Sequence, residues 1–244
     1  MTTSTIFHDT ISNALNVDYD DLIPDTHKDV LNGCIGKASL RKEDLAVLYY
    51  VVSQFKPKNV VEVGLATGSS AVCNTLAARD TILTYSVVDP FQSQWFGNRG
   101  IASLRSCAAP VTKVTLYEDR SYIALPRMHS NGERFDFAFI DSSHMFDETL
   151  IEFFYIDKML SDGGMIVMDD RPWPMVGGVI NFLKNNYVHF DADTSHSRLA
   201  FFQKKHVDQR KWYDFRSFEI PRSEFYEERI KLYQSEQGSA FQKD

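Results

Sequence analysis

The sequence predicts an α/β fold in which a doubly wound, mostly parallel sheet ends in an antiparallel strand pair. Short runs of β-branched and aromatic residues alternate with helical patterns from residue 41 onward, which is typical of parallel sheets with helices on both faces. Acidic residues also follow directly on several of the predicted strands. Because such sheets bind ligands beyond the carboxyl ends of their strands, the sequence predicts a crevice lined by carboxylates.

Each element follows from a local pattern. A helix is predicted at 41–55, where Leu45, Leu48 and Val52 recur at helical spacing and Lys-Pro-Lys-Asn ends the pattern. The run Val-Val-Glu-Val-Gly at 60–64 predicts a buried strand, and the glycine pair at 163–164 predicts the end of a helix. The other predicted helices cover residues 7–15, 69–78, 101–108, 121–128, 147–160 and 176–185, and the other strands cover 84–88, 111–117, 135–140, 165–168, 188–190 and 199–203.

Three parts of the chain are distinguished by their patterns. Residues 1–40 are predicted to form an N-terminal helical or lid segment, residues 41–204 the main domain, and residues 205–244 a C-terminal extension. The extension is rich in aromatic residues and includes a predicted helix at 224–233. Because exposed aromatic surface marks interaction sites, we expect the extension to pack on the body or on a second subunit, with a homodimer favoured.

Composition and charge argue against several classes of protein. The 244 residues are 43% hydrophobic, which argues against a disordered chain, and the net charge of −7 disfavours nucleic-acid binding because an acidic surface repels phosphates. The sequence contains no apolar run long enough for a membrane span, and its first residues lack a signal-peptide pattern. The three cysteines have no metal-binding spacing, so we expect free thiols in a reducing cytoplasm.

The residues after the first predicted strand form the pattern Glu62-x-Gly64-x-x-x-Gly68. A glycine turn between a strand and a helix lets a ligand approach the backbone and presents the amides of the helix N-terminus, although a plain strand–helix turn is the alternative. The spacing differs from the GxGxxG dinucleotide pattern. Asp89 ends the second strand, where a carboxylate can accept both hydroxyls of a ribose; the alternative is a turn cap before Pro90.

These features resemble the class I S-adenosylmethionine-dependent methyltransferases, and the segment 89–108 resembles the stretch after the ribose-binding acid in bacterial members. The resemblance runs from about residue 36 to 203. It implies a seven-stranded Rossmann-like fold, with residues 41–204 as the cofactor-binding domain and S-adenosylmethionine as the cofactor. It also implies a set of cofactor-binding residues, namely Glu62, Gly64, Gly68, Ser70, Asp89, Phe91, Asp119, Ser121, Tyr122 and Asp141.

A second constellation combines Asp141-Ser142-Ser143-His144 with Asp169-Asp170, 28 residues further on. Three carboxylates on adjacent strand ends supply the hard oxygen ligands that suit Mg²⁺, although the second pair could instead cap the next helix. The pattern resembles the divalent-metal-dependent O-methyltransferases of the catechol, caffeoyl-CoA and macrolide-sugar types. That resemblance implies Asp141, Asp169 and Asp170 as ligands of Mg²⁺ or another divalent cation, and His144 as general base. The serine pair departs from the Gly-Asp or Ala-Asp found in relatives.

The sequence therefore predicts Mg²⁺-dependent methyl transfer from S-adenosylmethionine to a hydroxyl of a small secondary metabolite. The alternatives are a metal-independent N- or O-methyltransferase of the same fold and a non-catalytic cofactor-binding protein. Weaker predictions place Arg171, Trp173 and Trp95 against the acceptor. The sequence also predicts surface positions for three histidines that show no ligand spacing, namely His189, His196 and His206.

We expect the acids at strand ends to meet at one edge of the sheet, because parallel strands end together. This set comprises Glu62, Asp89, Asp141, Asp169 and Asp170. An edge with this charge would attract a sulfonium cofactor and a divalent cation.

Overall fold

The computed structural model describes residues 3–34 and 39–220. Within this part of the chain, helices and strands alternate as predicted from residue 41 onward. The helices are α1 (Thr3–Ala14), α2 (Tyr19–Leu22), α3 (Asp25–Cys34), α4 (Lys42–Phe55), α5 (Ser69–Ala77), α6 (Arg99–Cys107), α7 (Ser121–Ser130), α8 (Phe146–Met159) and α9 (Pro174–Asn186). The strands are β1 (Asn59–Val63), β2 (Thr84–Val88), β3 (Lys113–Tyr117), β4 (Phe135–Ile140), β5 (Leu160–Met168), β6 (Phe190–Asp193) and β7 (Ala200–Lys204).

The seven strands form a single sheet in the order β3-β2-β1-β4-β5-β7-β6. Strands β1 to β5 pair in parallel, whereas β7 pairs antiparallel with both β5 and β6. The predicted fold class is therefore confirmed, including the antiparallel pair near the end of the described chain. The strand order reverses between β1 and β4, and a crevice opens at such a point beyond the carboxyl ends of the strands.

Both faces of the sheet are covered by helices. Along β4, Phe137 and Phe139 point to one face and pack with buried residues of α4 and α5, whereas Ala138 and Ile140 point to the other face and pack with α8 and α9. Successive strand residues alternate between faces, so an apolar run such as the one in β4 can serve two cores. This explains why the last four residues of β4, from Phe137 to Ile140, are all apolar, as expected for a strand of a doubly wound sheet.

The boundary between α8 and β5 differs from the prediction. The helix ends at Met159 and the strand begins directly at Leu160, so the glycine pair lies inside β5 and does not end the helix. The pairing of β4 with β5 shifts register between Phe135 and Phe137, and Gly163 adopts a φ of 79° in this irregular stretch. Glycine is favoured there because the extra residues of a bulge require a left-handed backbone.

Two further differences concern short elements. β6 begins at Phe190, after a turn in which its amide donates to the carbonyl of Tyr187, so the predicted strand at 188–190 is shifted. Helices α2 and α3 were not predicted, yet they bury Leu31 and Cys34 and pack on α4 and α5. The carbonyl of Cys34 also accepts from the hydroxyl of Thr67 at 2.7 Å, which ties α3 to the turn after β1.

The prediction that His189 and His196 lie on the surface is wrong. His189 is only 1% exposed, and its Nε2 lies 3.1 Å from a carboxylate oxygen of Asp157. His196 is also buried, and its Nδ1 accepts from the amides of Arg198 and Leu199 at 3.1 and 2.8 Å. Nε2 of His196 also lies 3.6 Å from Oδ1 of Asp44. Local sequence gives no sign of Asp157 or Asp44 as partners, because these acids lie in α8 and α4. The remaining histidine of that prediction, His206, is exposed.

The first part of the C-terminal extension, residues 205–220, lies along α9. Its backbone is held by three asparagines of the helix, because Asn181, Asn185 and Asn186 donate to main-chain carbonyls of residues 219, 217 and 216 at 2.9–3.0 Å. Phe218 stacks near Phe146 at the start of α8. The predicted helix at 224–233 lies outside the described residues. No helix in the described ranges has the length and apolarity needed to cross a membrane.

We expect Gly64→Ala to destabilise the protein by more than about 4 kcal/mol, and Gly132→Ala by only about 1 kcal/mol. Both glycines have positive φ, 87° and 76°, but a methyl group at Gly64 would lie 1.7 Å from the carbonyl oxygen of Asp141, whereas the space at Gly132 is open. Urea unfolding of both variants measures the difference. Equal loss of stability in the two variants would contradict the close approach at Gly64.

Candidate active site

The site begins with backbone hydrogen bonds that extend the sheet by one residue. The amide of Asp141 donates to the carbonyl of Val63 at 2.9 Å, and the amide of Asp169 donates to that of Ile140 at 2.9 Å. On the other side of β1, the amide of Asp89 donates to Tyr117 at 3.1 Å. The first residue after each of three parallel strands is therefore an aspartate fixed to its neighbouring strand, which places these carboxylates along one edge of the sheet.

The turn between β1 and α5 closes tightly over this edge. Gly64, Ala66 and Gly68 all have positive φ, at 87°, 47° and 89°. Ala66 is an L-residue in a left-handed conformation, which proteins retain mainly at functional sites. Gly68 precedes the first turn of α5, where helix amides without intrahelical partners face outward and can receive an anionic or polar ligand group.

Asp89 holds this turn in place. Its Oδ2 accepts from the amides of Leu65 and Ala66 at 3.0 and 2.9 Å and from the side-chain amide of Gln92 at 2.9 Å, and its Oδ1 accepts from the amide of Phe91 at 2.8 Å. A carboxylate has about four acceptor positions, so protein donors use most of them. Asp89 therefore performs the turn-capping role that the sequence left open, and Oδ1 keeps capacity for a ligand hydroxyl.

Glu62 lies beneath the turn and does not line the crevice directly. It is fully buried, and it accepts hydrogen bonds from the hydroxyl of Ser70 at 2.6 Å and from the hydroxyl of Tyr85. Burial raises the pKa of Glu62 to about 8, although the two hydroxyl donors oppose this shift, and the charges of Asp141 and Asp89 add to it. The carboxyl group is therefore a buried part of the turn's support, shared between β1, α5 and β2.

An aromatic platform stands beside Asp89. The rings of Phe91 and Trp95 are stacked, with centroids 3.6 Å apart and planes 4° apart, and the guanidinium of Arg120 lies 4.8 Å from the Phe91 centroid. Trp95 is 48% exposed. Trp95, which was predicted to contact the acceptor, therefore packs on Phe91, two residues after Asp89.

The other residues predicted near the adenine lie on the turn into α7. Asp119 forms an ion pair with Arg127 at 3.1 Å on the surface. Ser121 is buried at the first turn of α7, whereas Tyr122 is 46% exposed. Of these, Asp119 and Tyr122 are accessible to a ligand, and Ser121 is packed into the protein.

His144 stands at the centre of the second cluster. Its Nε2 lies 2.6 Å from Oδ2 of Asp170 and 3.6 Å from Oδ1 of Asp141, and the ring of Trp173 is stacked on it with centroids 5.6 Å apart. Burial lowers the pKa of His144, but the hydrogen bonds to Asp141 and Asp170 outweigh this effect and raise it to about 10. Both His144 and Asp170 have positive φ, 58° and 56°, so the cluster stores backbone strain.

Asp169 does not join this cluster, because it faces Arg198. Nε and Nη2 of the guanidinium donate to Oδ1 and Oδ2 of Asp169, both at 2.6 Å, and Nη2 also lies 3.1 Å from Oδ1 of Asp170. Burial and the charge of Asp141 raise the pKa of Asp169, while Arg198 lowers it. The sequence analysis did not identify Arg198, which is the main site residue that it missed.

A sequence signal for Arg198 exists only in combination with the strand register. Met168 of β5 pairs with Ala200 of antiparallel β7, so continuing the ladder by two residues brings position 170 opposite position 198. The antiparallel pairing was predicted, but the local pattern does not determine which residues are partners. With the register known, an arginine before β7 becomes the expected partner of the acids after β5.

Arg171 was predicted to contact the acceptor, but its guanidinium supports the loop before β7. It donates to the carbonyls of His196 at 2.7 and 3.1 Å and of Ser197 at 3.1 Å, and its backbone amide donates to the carbonyl of Arg198 at 3.0 Å. The structure therefore brings Trp173, but not the Arg171 side chain, to His144.

Of the two serines in the turn after β4, Ser142 has a partner in α8. Ser142 donates through its hydroxyl to Oε2 of Glu152 at 2.6 Å, and Glu152 is completely buried. Burial raises the pKa of this carboxyl group to about 7, opposed by Ser142 and Ser121. This hydrogen bond ties the turn that carries Asp141 and His144 to α8.

Comparison with known proteins agrees with this geometry. The family described as "Methyltransferase domain" matches residues 61–171, from β1 to the acids after β5. This part of the chain is therefore similar to a methyltransferase domain. The chain is 27% identical over 157 residues to caffeoyl-CoA O-methyltransferase from Stellaria longipes; the match covers 58% of this chain and spans about 60% of that relative's length.

Solved structures of O-methyltransferases share the fold. The enzyme TomG from Streptomyces achromogenes, involved in tomaymycin synthesis and solved with S-adenosylmethionine, superimposes with a TM-score of 0.59 at 15% identity, over 75% of this chain and 91% of that one. An O-methyltransferase from Bacillus cereus, solved with S-adenosylhomocysteine, gives a TM-score of 0.58 at 17% identity, over 76% and 94%. At these identities the similarity establishes the fold.

The three aspartates predicted to bind Mg²⁺ do not bring their carboxylate oxygens together at one point. The donor atoms that lie within 4.8 Å of one another belong to Asp141, His144 and Asp170. Both oxygens of Asp169 accept from Arg198 at 2.6 Å. Mg²⁺ requires a nearly ideal octahedron of oxygen ligands at about 2.0–2.1 Å, which a carboxylate bound bidentately to a guanidinium is poorly placed to complete. The arrangement therefore does not fit the three-aspartate site that the sequence predicted.

Glu62→Gln should reduce the pH dependence of the protein's free energy of unfolding. The pKa of Glu62 is about 8 in the folded chain and 4.5 as a free side chain, so the folded state holds an extra proton between these values. Protonated Glu62 therefore stabilises the folded state fully below pH 4.5, and this stabilisation is lost as the pH rises towards 8. The free energy of unfolding falls by up to about 1.4 kcal/mol per pH unit in this range. Urea unfolding across this range measures the slope, with Glu43→Gln at an exposed position as the control. Parallel curves for wild type and Glu62→Gln would contradict the buried-carboxyl assignment.

Proposed function

We propose that this chain transfers a methyl group from S-adenosylmethionine to a hydroxyl of a small molecule. The observation that carries the proposal is the His144–Asp170 pair, which lies at the same sheet edge as the turn from Gly64 to Gly68. The methyltransferase-domain match and the O-methyltransferase names of its relatives support the reaction class. The sulfonium charge of the cofactor suits an edge that carries several carboxylates.

The cofactor-side residues divide the binding between them. The turn from Gly64 to Gly68 is proposed to receive the methionine portion, and the first amides of α5 offer donors to polar groups of that portion. The free acceptor capacity of Asp89 suits a ribose hydroxyl, and the stacked pair of Phe91 and Trp95 offers a flat face to an adenine ring. The chain thus contributes mainly positioning, which can supply a large part of the rate acceleration in a two-substrate reaction.

The His144 imidazole is proposed to accept the acceptor's hydroxyl proton as its oxygen attacks the methyl carbon. The bond from that carbon to sulfur breaks, leaving S-adenosylhomocysteine, the methylated product and a protonated imidazole. Asp170, 2.6 Å from Nε2, orients the ring and stabilises its positive charge. The same contact keeps the imidazole protonated in the ligand-free chain, and a sulfonium bound nearby would lower its pKa by like-charge repulsion.

The acceptor side is bounded by Trp173, whose ring is stacked on His144. A rigid aromatic wall favours a flat or ring-shaped acceptor, and pockets for small molecules commonly combine such walls with few polar groups. We therefore propose phenols and cyclic polyols as the acceptor classes to test first. The dimer expected from the aromatic tail stays a prediction.

A second candidate is the same reaction assisted by a divalent cation. The convergence of donor atoms from Asp141, His144 and Asp170 within 4.8 Å favours it. An imidazole in the donor set suits Zn²⁺ or Fe²⁺ better than Mg²⁺, and the two carboxylates also suit Mn²⁺. His144 would then be a ligand, and the proton acceptor would have to be another group.

Replacing the proposed base tests the first candidate. His144→Asn should lower kcat by about 10²- to 10⁴-fold, the usual contribution of a general base, and leave the Kd for S-adenosylmethionine nearly unchanged. Asparagine is chosen because the residue has a φ of 58°, which asparagine tolerates. Release of S-adenosylhomocysteine with catechol, caffeoyl-CoA and inositol measures turnover, and His206→Asn is the exposed control. Unchanged turnover in His144→Asn would refute the base assignment, and no transfer to any hydroxyl acceptor would refute the function.

Chelation separates the two candidates. If His144 acts without a metal, dialysis against EDTA should leave turnover unchanged, because every charge in the proposed step is supplied by the chain and the cofactor. If the cation candidate is right, EDTA should abolish turnover and added Mn²⁺ should restore it. The same S-adenosylhomocysteine assay reports both outcomes.

A further inference from the structure

Arg198 occupies the place in this site where a cation would be expected. We infer that its guanidinium is the permanent counter-charge of Asp169 and Asp170, that it positions Asp170 for His144, and that it excludes a divalent cation from the site. The inference rests on the proposed function for its catalytic part, whereas cation exclusion can be tested by binding alone. It makes Arg198 a positioning residue for methyl transfer.

The contacts of the guanidinium are those of a strong ion pair. Two of its nitrogens donate to the two oxygens of Asp169 at 2.6 Å, and Nη2 lies 3.1 Å from Oδ1 of Asp170. The Arg198 side chain is 23% exposed and the carboxylate of Asp169 is buried. Bidentate pairs of this kind fix geometry as well as charge, and their strength increases where water is excluded.

Asp170 connects Arg198 to the reacting groups. Its Oδ1 faces the guanidinium and its Oδ2 faces Nε2 of His144, so the guanidinium and the imidazole hold the carboxylate from opposite ends. Asp170 has a φ of 56°, a strained conformation that needs support from its surroundings. Without the guanidinium, one oxygen would lose its charged partner and the carboxylate could rotate, which would misalign the imidazole.

Hydrogen bonds and an ion pair of the loop before β7 hold Arg198 in place. The Arg198 amide donates to Nδ1 of the buried His196, and its carbonyl accepts from the amide of Arg171. On its other side, Nε of Arg198 lies 3.9 Å from the fully buried carboxylate of Asp44, which Arg41 holds with two hydrogen bonds at 2.8 and 2.9 Å. Support therefore comes from Asp44 in α4, from Arg171 in the segment after β5 and from the loop itself.

A divalent cation is excluded because its ligands already have partners. Two of the three aspartates that the sequence assigned to Mg²⁺ contact a fixed positive charge, and the imidazole takes the remaining oxygen of Asp170. A dication bound between Asp141 and Asp170 would lie close to the guanidinium, and repulsion between like charges is strong where burial limits screening. Arginine cannot relieve this repulsion by losing its proton.

The first measurement is the binding of Mn²⁺ to the full-length wild-type chain, by electron paramagnetic resonance and by calorimetry, with and without S-adenosylmethionine. We expect no stoichiometric Mn²⁺ binding at millimolar concentration in either state. Binding of one Mn²⁺ per chain that His144→Asn weakens would overturn cation exclusion. This result needs no acceptor and is independent of the proposed function.

The second measurement compares Arg198→Gln with Arg198→Lys, using Arg134→Gln at an exposed position as the control. Arg198→Gln removes the guanidinium from Asp169 and Asp170, so the affinity for Mn²⁺ should rise about tenfold or more. The kcat measured in EDTA should fall about tenfold or more, which corresponds to the loss of one charge-assisted hydrogen bond. Arg198→Lys should bind Mn²⁺ no better than wild type and keep an intermediate kcat, since it retains the charge without the bidentate geometry. The Kd for S-adenosylmethionine should change little in either variant.

Two outcomes would overturn the positioning role. One is a kcat of Arg198→Gln equal to that of wild type in EDTA. The other concerns chemical rescue of Arg198→Gln, if its kcat is reduced and circular dichroism shows that it is folded. If low concentrations of guanidinium chloride restore none of the lost kcat, the positioning role is refuted. If wild type itself methylates no acceptor, the proposed function fails, and the Mn²⁺ measurements still decide the cation part.

Discussion

The crowding of carboxylates at one edge of a parallel sheet is the constraint on which the rest of the structure depends. The strand ladder itself produces it, since the amides of Asp89, Asp141 and Asp169 continue the hydrogen bonding by one residue. Carboxylates this close must be hydrogen-bonded, protonated or paired with cations. These acids meet that requirement in different ways. Asp89 accepts from backbone amides, Glu62 is buried with a raised pKa, and Asp169 is paired with a guanidinium. The chemistry of the site follows from how this charge is distributed.

Much of the fold was predictable because it is encoded locally. Strand runs, helical spacing and glycine turns identified the parallel core, and the position of acids at strand ends identified the reactive edge. The boundary at Leu160 was missed because the bulge around Gly163 depends on pairing with β4, and a glycine pair has the same local appearance at a helix end. Helices α2 and α3 were missed because they are short and gain their stability from packing on α4 and α5.

The site was predictable to the level of its acids and of His144, but their partners were not. Asp169 and Asp170 are adjacent in sequence and differ in environment, since one faces Arg198 and the other bridges Arg198 and His144. That difference is set by the register of β7 and by the loop before it. The buried positions of His189 and His196 have the same cause, because their partners lie far away in the chain. Long-range pairing is the information that single-sequence patterns do not contain.

The asparagines of α9 hold the backbone of residues 216–219 whatever side chains these residues carry. Asn181, Asn185 and Asn186 bind main-chain carbonyls, which every amino acid presents in the same way. The path of the segment is thus largely independent of its side chains, while Phe218 approaches Phe146, two residues after His144. Substitutions in this segment can change the surface near the reactive edge without displacing the backbone. Such an arrangement separates the surface chemistry of the segment from the stability of its backbone path.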